Sequence, residues 1–139
     1  MTENIPECFY RVSVKGLILD ETRTKFLVCL EDNGLWELPG GGLDWGESAK
    51  NCLNREIKEE MGLDTMFIST NPLYFTTSIS LRNTWFVNVV YEVKVKDLHF
   101  TPSDECREIR FVSPEEVASI NVYNSVKELA LQFDSSRHS

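Results

Sequence analysis

No stretch of the 139-residue chain approaches the roughly 18 apolar residues that a membrane-spanning helix needs, which excludes such a span. Positive charge is scarce too. There are 14 Lys and Arg against 22 Asp and Glu, the formal net charge is -8, and no basic run is longer than two. A protein that tracks a long phosphate backbone displaces counterions with clustered Lys and Arg, so long nucleic acid is a poor partner. A small anionic substrate stays open if a divalent cation supplies the positive charge locally. The four cysteines, Cys8, Cys29, Cys52 and Cys106, form no CxxC pair and no Cys/His metal spacing. Cys29 and Cys52 fall in apolar runs, where a free thiol behaves as a small hydrophobe. Met1 to Cys8 has neither a basic start nor an apolar stretch, so no secretory leader is expected, and a reduced, cytoplasmic protein is the plain reading. With only 7 Gly and 5 Pro, and 42% hydrophobic and 26% charged residues, the composition is that of a globular chain. Its length predicts a single domain over 1–139, ordered from about residue 8 to residue 133.

What is there reads as alternating strands and helices. Phe9 to Leu19 and Phe26 to Leu30 are expected strands, separated by the polar turn Asp20-Glu21-Thr22-Arg23. Trp36-Glu37-Leu38 is halted by Pro39-Gly40-Gly41-Gly42, which is expected to be a loop. A helix is predicted from about Glu47 to Met61, with Gly62 as its terminator. Met66 to Phe75 and Trp85 to Val95 read as strands, the second with Val87, Val89, Tyr91, Val93 and Val95 in strict alternation. A short strand over Ile109 to Val112 precedes Ser113-Pro114, a good helix start, and a last helix is expected from about Val122 to Phe133. Asp134 onward is a polar tail that should fray. One mixed sheet with helices packed on it follows from this order.

The helix holds an oddity, Arg55-Glu56-Ile57-Lys58-Glu59-Glu60. At about 100° per residue from Ala49, Leu53, Ile57 and Met61 fall near 40°, 80° and 120°, and Cys52 near -60°. These residues define the face that packs on the sheet. Glu56 and Glu60 fall near -20° and +20°, on that same side, with Glu59 near -80°. A Glu run is usually a solvated helix face, but carboxylates beside an apolar stripe are costly without a neutralising partner. Arg55 and Lys58 project at about -120° and 180°, away from them. A hard divalent cation held by carboxylate oxygens answers the electrostatic problem.

The glycine triplet lies a fixed distance ahead of this helix, where backbone carbonyls can approach a metal and N–H groups a phosphate. Alone it is weak, since a tight turn is the commoner use of such a triplet. Together the pieces read Gly41, five residues, Glu47, seven residues, Arg55-Glu56-Ile57, one residue, Glu59-Glu60, one residue, Gly62-Leu63. This is similar to the Nudix box, GX5EX7REUXEEXGU with U aliphatic, at every defined position. By composition, seven such identities at fixed spacing arise by accident on the order of 10⁻⁶ of the time.

The resemblance implies an α/β protein, a Nudix-type α/β/α sandwich with a central mixed β-sheet and a catalytic loop-helix-loop. It implies Mg²⁺ or Mn²⁺ held by Glu56, Glu59 and Glu60 with the Gly40 carbonyl, and hydrolysis of a diphosphate linkage in a nucleoside diphosphate joined to another group. Glu56 is the usual candidate for the base, and Arg55 would orient neighbouring carboxylates together with Glu47. A carboxylate well after the box often joins such sites; Glu105 resembles that position and Glu108 is a close second. Dimers are common among similar proteins, so a homodimer is compatible with the family.

Substrate choice is less legible. Gly41 and Gly42 are candidates to meet the diphosphate. Trp36, Trp45, Phe9, Tyr10 and Tyr74 are candidates to stack on a base, although aromatics mostly serve cores. Arg11, Lys15 and Arg82 are candidates for phosphate contact, although such residues are more often surface charges. Subgroups of the family carry a downstream proline (ADP-ribose type) or tyrosine (diadenosine polyphosphate type). Here Ser78 holds the first position and Ile79 and Ser80 the second region, so the subgroup is open. Two other readings stay open: a non-catalytic nucleotide- or metabolite-binding module of the same fold, and a metal-dependent isomerase.

Overall fold

The computed structural model describes residues 7–139; the leader reading, which rests mainly on the first six residues, lies outside them. Eight strands and three helices follow in the order β1 (Arg11–Leu17), β2 (Phe26–Leu30), β3 (Trp36–Glu37), β4 (Gly40–Gly42), α1 (Ala49–Met61), β5 (Thr65–Ile68), β6 (Tyr74–Ile79), β7 (Trp85–Val95), β8 (Glu108–Val112), α2 (Pro114–Val117) and α3 (Asn124–Gln132). β7 is the spine of a mixed sheet: it runs parallel to β1 and antiparallel to β5 and β6, and β4 closes the far side of β1. The expected mixed sheet is thus present, and beside it stands a second, antiparallel sheet ordered β3-β2-β8.

Strand parity explains why two cores form. In β2, Leu27 and Cys29 point to one core while Phe26 and Val28 point to the other. The first core adds Cys52, Leu53, Ile57 and Met61 from α1; the second adds Val126 and Leu129 from α3. Strands covered on both faces read as continuous apolar runs, as Phe26–Leu30 does. Each fully buried Leu or Ile contributes roughly 1.5–3 kcal/mol of transfer free energy, so α1 is fixed by its apolar stripe more than by its propensity.

Helix ends obey local chemistry. Ser48 caps α1 by accepting the Asn51 N–H at 3.1 Å, and Gly62, left-handed at φ 66°, donates its N–H to the Lys58 carbonyl. Ser113 and Glu116 form a reciprocal capping box around Pro114 at the start of α2.

Three expectations are corrected. The glycine triplet is not a free loop: Gly40, Gly41 and Gly42 pair with Lys15, Val14 and Ser13 as β4. Met66 to Phe75 is not one strand, because the chain breaks between β5 and β6, where Pro72 has no N–H to give a ladder. The tail after Asp134 does not fray. Ser135–His138 form a 3₁₀ turn, and His138 is buried, stacked on Phe133 with its Nε2 2.7 Å from the Tyr74 hydroxyl.

Candidate active site

The glycine strand and α1 are the two walls of the site, and their approach is unusually close. A Cβ on Gly41 would lie 2.6 Å from the Glu56 carboxyl carbon, and one on Gly40 would overlap the Val14 carbonyl. Gly40 also holds φ at +121°, a conformation L side chains rarely adopt. Only glycine lets this backbone run against the carboxylates.

Along α1 the glutamates separate by burial. Glu60 is 3% exposed and accepts the Gly40 N–H at 2.9 Å. Burial pushes its pKa up to about 9, against the opposing pull of Lys15. Glu56 is half-buried and is raised as well, first by burial, with the Arg55 hydrogen bond working the other way. Glu59 stands apart. Its side chain is 57% exposed and touches Arg55 at 3.4 Å. The loop before β8 then brings Glu105, so that carboxylate oxygens of Glu56, Glu60 and Glu105 lie within 4.8 Å of one another. Glu108 sits on β8 opposite Leu30.

Arg55 organises the outer side of this group. Its Nε and Nη2 meet Glu47 at 2.7 and 2.9 Å, and its Nη1 reaches Glu56 at 3.0 Å. The wheel angle of Arg55 suggested that it could not serve these carboxylates. The long side chain bends around the helix and does so for Glu56. Its hydrogen bonds hold the Glu47 carboxyl down at about 2, and Glu47 in return raises the Arg55 pKa.

The donor set fits a hard divalent cation. It is all carboxylate oxygen, and no ammonium or guanidinium lies within salt-bridge reach of Glu60 among the described residues. A carboxylate this buried without a close cation is costly, and an ion among the three would relieve it.

Beside Gly41 and Gly42 opens a cleft of about 220 Å³ between β1, β6, β7 and the start of α3. Of its polar lining the sequence singled out Lys15, as a candidate for phosphate contact, but not Ser13, Asn88, Glu31 or Glu37. Lys15, expected to be a surface charge, is only 6% exposed, and Ser13, Ser78 and Asn88 are buried with it. The signal lay in strand parity: Ser13 and Lys15 share a face of β1, and Asn88, cross-strand from Ser13, breaks the apolar rhythm of β7 from its other face. Glu37 and Glu31 close the opposite wall, where Glu31 accepts the Tyr123 hydroxyl at 2.7 Å.

The remaining candidates scatter. Arg11 donates to the Leu43 carbonyl at 2.7 Å and packs against Gly42. Arg82 lies in a second depression with Arg11 and Phe86. Trp36 packs against the core on the α3 side and does not line the cleft, and Tyr74 is buried in that core. Trp45 is fully exposed, and Phe9 and Tyr10 are exposed.

The match to known proteins agrees with this geometry: the model of the NUDIX domain fits residues 9–133. The chain belongs to the Nudix hydrolase family. It is similar to a MutT-like protein of Streptomyces ambofaciens, 28% identical over 109 residues that cover 78% of this chain and 68% of that protein. It is also similar to an RNA pyrophosphohydrolase of Campylobacter jejuni subsp. doylei, 39% identical over 64 residues; this match spans 42% of the chain and only 41% of the relative. Among solved structures, a MutT protein from Methanosarcina mazei superposes with a TM-score of 0.72 at 24% identity, covering 91% of this chain and 93% of that one. As a Nudix hydrolase the chain acts on phosphoanhydride bonds. Among the described residues, no helix is long and apolar enough to cross a membrane.

Proposed function

We propose that this Nudix hydrolase, acting as one domain over 1–139, uses Mg²⁺ or Mn²⁺ to cut the diphosphate linkage of a nucleoside diphosphate joined to another group. The observation that carries this reading is the convergence of Glu56, Glu60 and Glu105 beside the glycine strand, whose Gly41 and Gly42 also line a cleft of about 220 Å³. Those three residues would hold the ion, with Glu59 and the Gly40 carbonyl as its neighbours. A bound divalent ion supplies neutralisation of the charge that builds on the diphosphate.

The chain's own residues do the rest. Glu56, half-buried and steadied by Arg55, accepts the proton of the attacking water. Arg55, clamped on Glu47, keeps that carboxylate in one orientation. Gly41 and Gly42 offer backbone without side chains beside the site, where a phosphate can approach. Arg11 and Arg82 flank the depression next to it. A relative named nucleoside triphosphatase and a fold neighbour named UDP-X diphosphatase support a small nucleotide-like substrate, and a relative named RNA pyrophosphohydrolase supports cleavage of a diphosphate linkage. Four free thiols support a cytoplasmic setting.

The test is a substrate panel of nucleoside triphosphates, ADP-ribose, dinucleoside polyphosphates and nucleotide sugars, incubated with Mg²⁺ and with EDTA. Cleavage of at least one class that EDTA abolishes supports the proposal; no cleavage of any, or cleavage indifferent to EDTA, overturns it.

A further inference from the structure

One face of the mixed sheet carries no charge and little cover. Strand register lays out its rows: Val12, Val87 and Thr77 stand side by side, and Val14, Val89 and Phe75 form the next row. α1 packs on β1, β4 and β5 and covers the far end of this face, where Ile57 and Val93 flank Gly16. α3 lies on the opposite face of β6, against Tyr74. The near end is unshielded. Phe75 is 61% exposed, Trp85 is 48% exposed, and Tyr10, 44% exposed, meets the Trp85 ring edge-on at 6.3 Å. Although 26% of the chain is charged, no charged residue stands on this face of β1, β6 or β7.

We infer that this face is the contact surface of a two-fold homodimer, covered by the same face of a second copy. An aromatic side chain offers about 150–250 Å², so at these exposures, with the half-buried valines and Thr77, the face presents on the order of 500 Å² of apolar surface. A standard interface of about 800 Å² per partner is a little over half apolar, so the areas agree. Charge points the same way. Two chains of net charge -8 repel least through a face where neither presents a charge, and an anionic lipid surface would need a basic patch that this face lacks. Contact between identical faces closes on itself and leaves no sticky surface behind. The copies meet face to face and not edge to edge, because Asn124 and Gln132 of α3 donate to the Ile79 and Phe75 carbonyls on the outer edge of β6, at 2.9 and 3.5 Å. Of the first six residues only Met1, Ile5 and Pro6 are apolar, too few to cover such a face from within the chain.

The test measures mass in solution by sedimentation over a dilution series. Wild type is expected at twice 16.0 kDa, falling toward 16.0 kDa on dilution. Phe75→Glu and Thr77→Arg place a charge on the face at exposed positions. Each should weaken the dimer about a hundredfold or more, because two-fold symmetry sets like charges close together. The unfolding midpoint of either variant should match that of wild type diluted to the monomer. If Phe75→Glu fails to fold, Thr77→Arg alone decides. Leu131→Glu makes the same kind of change on α3, where Leu131 is 80% exposed, and should leave the dimer intact. Wild type that stays at 16.0 kDa up to about 100 µM overturns the inference, since an interface of standard size holds well below that concentration. A dimer untouched by a folded face variant, or weakened as much by Leu131→Glu, overturns it as well.

Discussion

Glu47 receives both prongs of the Arg55 guanidinium, Nε to Oε2 at 2.7 Å and Nη2 to Oε1 at 2.9 Å, while the third nitrogen of the same group holds Glu56. One planar cation thus ties the start of the box to its catalytic centre. A lysine cannot reproduce that fork. Arg55→Lys is expected to lower kcat by about tenfold or more while the unfolding midpoint stays within a few degrees, because a partly exposed pair adds little stability. Steady-state kinetics beside thermal unfolding check it; an unchanged kcat removes Arg55 as a positioning residue.

Glu56→Gln should cost far more in turnover than in stability. Loss of a general base lowers rates by about 10²–10⁴-fold, while replacing a half-buried carboxylate with its neutral amide removes a repulsion from Glu60. Near wild-type kcat in the purified variant would show that the base lies elsewhere.

Gly41→Ala should act through contact and not through backbone angle. The added Cβ would sit 2.6 Å from the Glu56 carboxyl carbon, so the carboxylate has to move. A drop of about tenfold or more in kcat/KM is expected, since small displacements at reacting groups are expensive. Gly34→Ala is the instructive control. It strains a positive φ in open space, so it should cost stability and leave kcat/KM alone.

Much of this site was legible in the sequence because its spacing is rigid: helix geometry alone put Glu56 and Glu60 toward the core and Glu59 aside. What escaped depended on long-range pairing. Nothing local shows that Gly40–Gly42 will pair with β1, since that ladder depends on residues some 25 positions away. Lys15 looked like surface because Lys almost always is; its burial depends on β7 and Glu37 closing over it. The tail looked frayed because its composition is polar, yet one ring, His138, finds Tyr74, Phe133 and the Arg23 side chain that bonds its carbonyl.

That docking has a pH signature. Burial lowers the His138 pKa below its ordinary 6.5, with Arg137 and Arg23 adding to the effect and Glu92 and Asp134 opposing it. The folded protein therefore binds this proton less readily than the unfolded chain, so stability is full above pH 6.5 and falls as pH drops from there toward the lowered folded value. In unfolding curves against pH, the stability advantage of wild type over His138→Gln should shrink on acidification through this window. An advantage that grows instead would mean His138 is charged in the fold.

The central claim is that the buried Glu60, with Glu56 and Glu105, makes a seat for a divalent cation. Mn²⁺ reports on this directly through its free-ion paramagnetic resonance signal, with no substrate and no turnover. Titrating wild type should quench that signal to saturation, with Mg²⁺ competing, while Glu56→Gln/Glu60→Gln should leave it nearly undiminished. An undiminished signal with wild type, or equal quenching by the double variant, would contradict the account.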